Sequence, residues 1–241
     1  MIYFLGARGW VRLARGEADA ARADFERLGR YMEAFGMRNP ALLAWRSHLA
    51  MALLALERDD EARELAREDV ELARVWGAPR PIGVALRVLG MAQGGKAGIE
   101  TLLESLDVLE RSSAKLELGR ALVELGAGLR REDGRGEARD VLRRGLDLSV
   151  RSGSQPLVDQ AQRELAAAGA KPQKLVLTGL ESLTPSERQV AELAAESLTE
   201  KDIAQALFVS TKSVEDHLSS VYRKLGISSR PELADALAVP V

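Results

Sequence analysis

Cysteine is absent from the 241 residues, which excludes a disulfide framework and any thiolate metal site. Long apolar runs are missing too. None approaches the ~18–20 residues that span a bilayer, and the opening MIYFLGARGW breaks at Arg8 without a signal peptide's basic-then-apolar order. The chain therefore reads as a soluble cytoplasmic protein with no membrane partner. Net charge is only −2, so nothing draws the chain to nucleic acid as a whole, and any such binding must come from a local arrangement. The two histidines, His48 and His217, lie far apart without metal-ligand spacing. No nucleophile stands beside a candidate base. An enzyme reading has no support, and no cofactor or metal is expected.

Aromatic residues make up only 4% of the chain, while Ala, Leu, Arg and Glu dominate. These abundant side chains lose little rotamer freedom in a helix. Residues 1–168 also repeat. FGMRNP (35–40), WGAPRP (76–81) and SGSQP (152–156) share one punctuation, Gly followed shortly by Pro, with Gly36, Gly77 and Gly153 at intervals of 41 and 76. Gly supplies a left-handed C-cap and Pro cannot continue the helix. A second marker agrees: Ala21, Ala62 and Ala138, in AARADF, EARELA and EARDVL, are spaced by the same 41 and 76. A weaker copy, AGIETL (97–102), lies between the last two, and the missing Gly–Pro corner falls near RSSAKLE (111–117).

Each unit therefore reads as a helix pair. Four pairs and a final helix around 156–168 would stack as a right-handed solenoid resembling the tetratricopeptide class, with a period longer than its usual ~34 residues. The first unit begins almost at Met1 with no polar capping helix. Two expectations follow: the chain is the C-terminal part of something longer, or it pairs through that end. GMAQGGKA (90–97) has the spacing of a phosphate-binding loop, but Ala97 stands where magnesium requires Ser or Thr, and no strand precedes it. It reads as a turn.

Residues 169–183 change character. Gly169, Pro172 and Gly179 break helix, and KLVL is the one strand-like run. This is the expected linker.

Helix signals become explicit beyond it, over 184–241. Thr184-Pro185-Ser186-Glu187 combines a capping box with Pro at the first helical position. Thr199-Glu200-Lys201-Asp202 starts a second helix, carrying Ile203, Ala204 and Leu207 inward. Ser210 or Thr211 starts a third, over 211–225, stopped by Gly226. Ser229-Arg230-Pro231-Glu232 opens a short fourth. At 100° per residue, Val214, Leu218, Val221, Tyr222 and Leu225 share the packing side of the third helix. Lys212, Asp216, Ser219 and Arg223 fall within about 60° of arc on the other side. A short helix, a tight apolar corner and a longer helix with a polar outer face make a helix-turn-helix.

Residues 183–237 resemble the DNA-binding domain of LuxR/GerE-type transcription regulators. The resemblance rests on Leu183-Thr184-Pro185 with Glu187, Ile203-Ala204, Val214 with His217-Leu218, Tyr222-Arg223-Lys224-Leu225, and Ser229-Arg230 with Glu232-Leu233. The upstream repeats, running through LVLTGLESLTPSER, further resemble the C-terminal half of the large MalT-like members, which carry an ATPase before their helical repeats. The family usually has Gly at the position of Ser197 and often Asn at that of Glu200. Ser197 is strained if its backbone is left-handed, and Glu200 would repel a nearby phosphate.

The resemblance implies that the third helix lies in the major groove of double-stranded DNA, with homodimers on inverted repeats. Lys212, Ser213, Glu215, Asp216 and Ser219 are then placed to meet base edges. Thr199, Lys201, Thr211, Arg223 and Lys224 are placed for phosphates. The repeats would receive a protein or small-molecule effector. Six basic residues against nine acidic ones over 184–241 weaken nonspecific affinity. That balance keeps two alternatives open, a protein–protein interaction scaffold and a fragment of a larger ATPase-containing regulator without autonomous DNA binding. The expected fold is thus all-α, a tetratricopeptide-like solenoid followed by a four-helix LuxR-type domain.

Overall fold

Ala21, Ala62 and Ala138, the spaced alanines of the repeat, are each completely buried. A computed structural model describes residues 2–170 and 183–237, and over these residues thirteen α-helices form and no strand does. The KLVL run and most of the linker expected over 169–183 lie outside the described residues. The chain divides into two compact units, Met1–Leu148 with Pro156–Ala170, and Ser149–Gln155 with Lys171–Val241.

Nine helices precede the undescribed stretch. They are α1 (Ile2–Ala14), α2 (Ala18–Ala34), α3 (Trp45–Ala55), α4 (Asp59–Trp76), α5 (Pro79–Gln93), α6 (Gly95–Glu110), α7 (Lys115–Arg131), α8 (Arg135–Arg151) and α9 (Gln155–Ala167). Successive helices from α1 to α7 pack on one another, and α1, α3, α5 and α7 also touch in order, forming one continuous layer. The turns explain the period. Gly16, Glu57 and Asp133 take φ of 78°, 58° and 62°. After them, the amides of Glu17, Arg58 and Gly134 donate to the carbonyls of Arg12, Leu53 and Leu129 at 2.9, 3.0 and 2.9 Å. This is one Schellman stop made three times, at the spacing of 41 and 76 that the alanines show. Two of the three copies use an acidic residue where glycine would relax the backbone. The Gly–Pro corners behave as expected: Gly36, Gly77 and Gly153 are left-handed at φ 64°, 79° and 65°, and Pro79 opens α5.

Close approach between helices relies on small residues under large ones. The GMAQGGKA segment joins α5 to α6, but Gly94 alone makes the turn, with residues 90–93 in α5 and 95–97 in α6. A Cβ on Gly98 would meet the Gly90 carbonyl oxygen at 2.4 Å, and one on Gly29 would meet the Trp45 ring at 2.5 Å. The arginines after two marker alanines seal the ends of neighbouring helices. Arg63 donates to the Ala92 carbonyl at 3.1 Å and Arg139 to that of Ala168 at 3.3 Å. Among the described residues no helix is long and apolar enough to cross a membrane.

Two glycines should respond oppositely to the same change. Gly98→Ala forces backbone apart and should destabilise by about 1–3 kcal/mol, seen as a lower urea midpoint for the helical circular-dichroism signal. Gly136→Ala, on α8 with nothing within 4 Å of the added carbon, should stabilise by about 0.5–1 kcal/mol. Equal midpoints for the two variants would refute the α5–α6 crossing.

Candidate nucleic-acid interface

The C-terminal unit is built on caps. Helix α10 (Pro185–Ala195) starts with Thr184, whose Oγ1 accepts from the Glu187 amide at 3.2 Å while Glu187 Oε2 accepts from the Thr184 amide at 2.7 Å. Helix α11 (Glu200–Leu207) repeats the device with Thr199 and Asp202. Its capping carboxyl lies below the usual carboxylate range, because the Thr199 hydroxyl and amide both donate to it. Helix α12 (Thr211–Leu225) is capped by Ser210, whose Oγ accepts from the Ser213 amide at 3.1 Å. It stops at Gly226, left-handed at φ 70°. Helix α13 (Glu232–Leu237) completes the unit. Of the two residues offered for the third cap, Ser210 is the one used.

Val214, Leu218 and Val221 of α12 are buried against Val190, Ala191 and Ala194 of α10, Ile203 and Ala204 of α11, and Leu233 of α13. That packing turns the opposite side of α12 outward. Polar links fix the direction further. Glu187 is 6% exposed, and its Oε2 also accepts from Lys224 Nζ at 2.5 Å, joining the start of α10 to the end of α12. Burial pushes this carboxyl upward, but the Lys224 ammonium, the Thr184 amide and the Ser220 hydroxyl outweigh it and hold the pKa at about 2. Arg230 donates to the carbonyls of Ala194 and Leu198, closing the C-terminal end of α10. The sequence showed Arg230 as part of a pattern but not this task.

Of the residues expected at base edges, Lys212, Glu215, Asp216 and Ser219 are exposed on α12. Lys212 Nζ lies 3.2 Å from Asp216 and 3.7 Å from Glu215; hydrogen bonding and the charge of Asp216 lead in raising its pKa. Such exposed pairs exchange partners at little cost. Ser213 is half-buried and shares a 2.8 Å hydroxyl contact with Ser210. Among the residues expected at phosphates, Thr199, Lys201, Thr211 and Arg223 are exposed. Lys224 differs. Its side chain is 17% exposed and held by Glu187, so it braces the helix instead of standing free.

Two backbone positions carry strain. Ser197 is left-handed at φ 66°, the conformation that its position before α11 demands and that Ser adopts at a cost of roughly 1 kcal/mol. Phe208, the C-cap of α11, is left-handed at φ 55° and 96% exposed. The apolar corner between α11 and α12 thus turns its largest side chain outward. Phe208 was not singled out from sequence, where its apolar character suggested only a corner.

Residues 181–237 match the profile of bacterial regulatory proteins of the luxR family. The spore germination protein GerE of Bacillus subtilis is 44% identical over 50 residues, covering 21% of this chain and 68% of GerE. The chain belongs to the luxR family. Among its relatives, the HTH-type transcriptional regulator Rv0890c of Mycobacterium tuberculosis (strain H37Rv) is 48% identical over 73 residues, 30% of this chain. The oxygen regulatory protein NreC of Staphylococcus epidermidis (strain RP62A) is 35% identical over 78 residues, 32% of this chain and 33% of NreC. The match spans only 8% of the mycobacterial protein's own length. The luxR likeness accounts for α10 to α13 and leaves α1 to α9 to be read on their own structure.

Two substitutions test this unit. Glu187→Gln leaves Lys224 half-buried without its anion and should cost about 2–4 kcal/mol, read as lost hydrogen-exchange protection in α12. A depressed carboxyl contributes fully above its ordinary 4.5 and loses that contribution as pH falls toward about 2. The variant and parent should therefore converge at the acid end; a gap unchanged across that range would refute the ion pair. Ser197→Gly should stabilise α10 and α11 by about 0.5–1 kcal/mol. Lower protection in that variant would mean Ser197 is not left-handed.

Proposed function

We propose that this chain is a cytoplasmic, DNA-binding transcription regulator in which α12 enters the major groove of double-stranded DNA. The observation that carries this reading is the division of α12 into two faces. One is buried in the core that α12 shares with α10, α11 and α13 and is braced by Glu187, and the other presents exposed polar side chains with no packing partner among the described residues of its unit. Lys212 donates to guanine O6 or N7, Glu215 and Asp216 accept from cytosine N4, and Ser213 and Ser219 adjust to either. Contact with the groove requires Lys212 to leave its own carboxylates, which a surface pair permits. Thr199, Lys201, Thr211 and Arg223 take phosphates, fixing register without reading sequence. Lys224 acts through the fold by its bond to Glu187.

Six basic residues against nine acidic ones give one such module weak backbone affinity. Two modules on an inverted repeat overcome this by avidity, so the regulator acts as a homodimer on DNA. Residues 1–168 form the helical-repeat domain that receives an effector and controls this pairing, 169–183 the linker, and 184–241 the DNA-binding domain. The acidic balance favours a second reading, a protein-interaction scaffold whose C-terminal domain no longer binds DNA.

Selection of bound duplexes from a random pool, at low and then moderate salt, tests the reading. Enrichment of an inverted repeat is expected. Lys212→Ala or Arg223→Ala should then weaken binding about tenfold with helicity unchanged. Equal binding by both variants would refute the docking face, and retention of no duplex at either salt would favour the scaffold.

A further inference from the structure

A cavity of about 160 Å³ is lined by residues of α1, α3, α5 and α7 together with the connection 40–44 before α3. At its base lies Arg87, 3% exposed. The Arg87 Nε–H has no hydrogen-bond partner. Nη1 meets only the Met91 sulfur at 3.7 Å, and Nη2 stands 3.6 Å from Glu117 Oε2, beyond hydrogen-bond reach. That same Glu117 oxygen is also buried without a partner. Arg87 thus has one long ion pair and no oxygen acceptor for its Nε–H, and a buried charged donor without an acceptor is costly, so this geometry is that of an incomplete site.

Charge around the cavity is equally one-sided. Three guanidinium groups line it, and Glu117 is the one carboxylate that does. Glu117 lies 2.8 Å from Arg120 and 4.0 Å from Arg80, so one anion is divided among three cations. The next carboxylate that Arg87 senses, Glu124, accepts from Gln160 at 2.9 Å. His48 adds no charge. Burial first, and then Arg87, Arg120 and Arg80, pull its pKa down to about 3, leaving a neutral ring against Trp10 at 4.6 Å. The remaining wall is apolar, with Trp10, Leu43, Pro81 and Val84 facing the space. Trp10 also lies under the Arg120 guanidinium, 5.8 Å from the ring centre.

We propose that this cavity binds a small organic acid, its carboxylate held by Arg87 with Arg120 and Arg80 and its apolar or aromatic body laid against Trp10. A planar carboxylate matches the guanidinium fork and supplies the acceptor that Arg87 lacks. The apolar wall distinguishes such an acid from inorganic phosphate, which has nothing to place there. This gives a chemical class to the effector of the repeat domain. It rests on the regulator reading for what binding accomplishes, and not for whether binding occurs.

Calorimetric titration of the full chain, without DNA, tests it. The probes are benzoate, phenylacetate and indole-3-acetate, their primary amides, and inorganic phosphate. At least one acid should saturate a single site, its amide binding about tenfold more weakly or worse. Arg87→Met should lose about tenfold or more at unchanged circular dichroism. Arg80→Gln, on the exposed rim, should lose severalfold, and it carries the comparison if Arg87→Met does not fold. The proposal is overturned if no acid saturates, if acid and amide bind alike, if phosphate binds as tightly as the acids, or if the variants bind as the parent does. Duplex selection on the same preparation separates the two readings. Acid binding without DNA binding would remove the regulator and keep the site, and DNA binding without acid binding would do the reverse.

Discussion

Glu187 sits where three requirements meet. Its carboxylate completes the N-terminal cap of α10, neutralises Lys224 at the far end of α12, and does both from a buried position where water cannot substitute. Apolar packing by Val214, Leu218 and Val221 decides which side of α12 turns inward. Packing of that kind is non-directional, and a helix can roll or slide on it. An ion pair with hydrogen-bond geometry at one end removes that freedom. The outward face of α12 therefore keeps a fixed direction because of a residue that lies on another helix.

The repeat region solves the same problem of fixing helices by other means. Its helices carry few aromatic knobs, and the interfaces close either through glycine beneath a large side chain, as with Gly29 under Trp45, or through glycine against backbone, as with Gly98 on Gly90. Close backbone approach gives dense packing from a sequence poor in bulky residues. The same Schellman stop after α1, α3 and α7 ends the first helix of each of these pairs with the same hydrogen bond.

What could be read from sequence divides along physical lines. Helix starts and stops depend on a few local side chains, so Thr184 with Glu187 and Gly36 with Pro40 were legible, as were the inward stripe of α12 and the strain at Ser197. Polar turns between paired helices were legible as turns, but the left-handed backbone of Glu57 and Asp133 was not, because the helices on both sides hold it there. Tertiary pairings were invisible for the same reason. Lys224 looks like any basic residue at a helix end until α10 is placed beside it, and Arg87 looks like a surface arginine within a helical repeat until α3 and α7 enclose it. The outward turn of Phe208 contradicts the ordinary expectation for an apolar corner, and only the backbone conformation after Leu207 explains it.

Helix α5 keeps its duties on separate stripes. Gly83 and Gly90 receive Leu109 and Gly98 from α6, while Arg80, Val84 and Arg87, spaced four and three residues apart, look toward the cavity. Residues on the second stripe can change without disturbing the seam on the first. An array built this way can diverge in what it recognises while its architecture stays constant, so related chains of the same fold need not share a ligand.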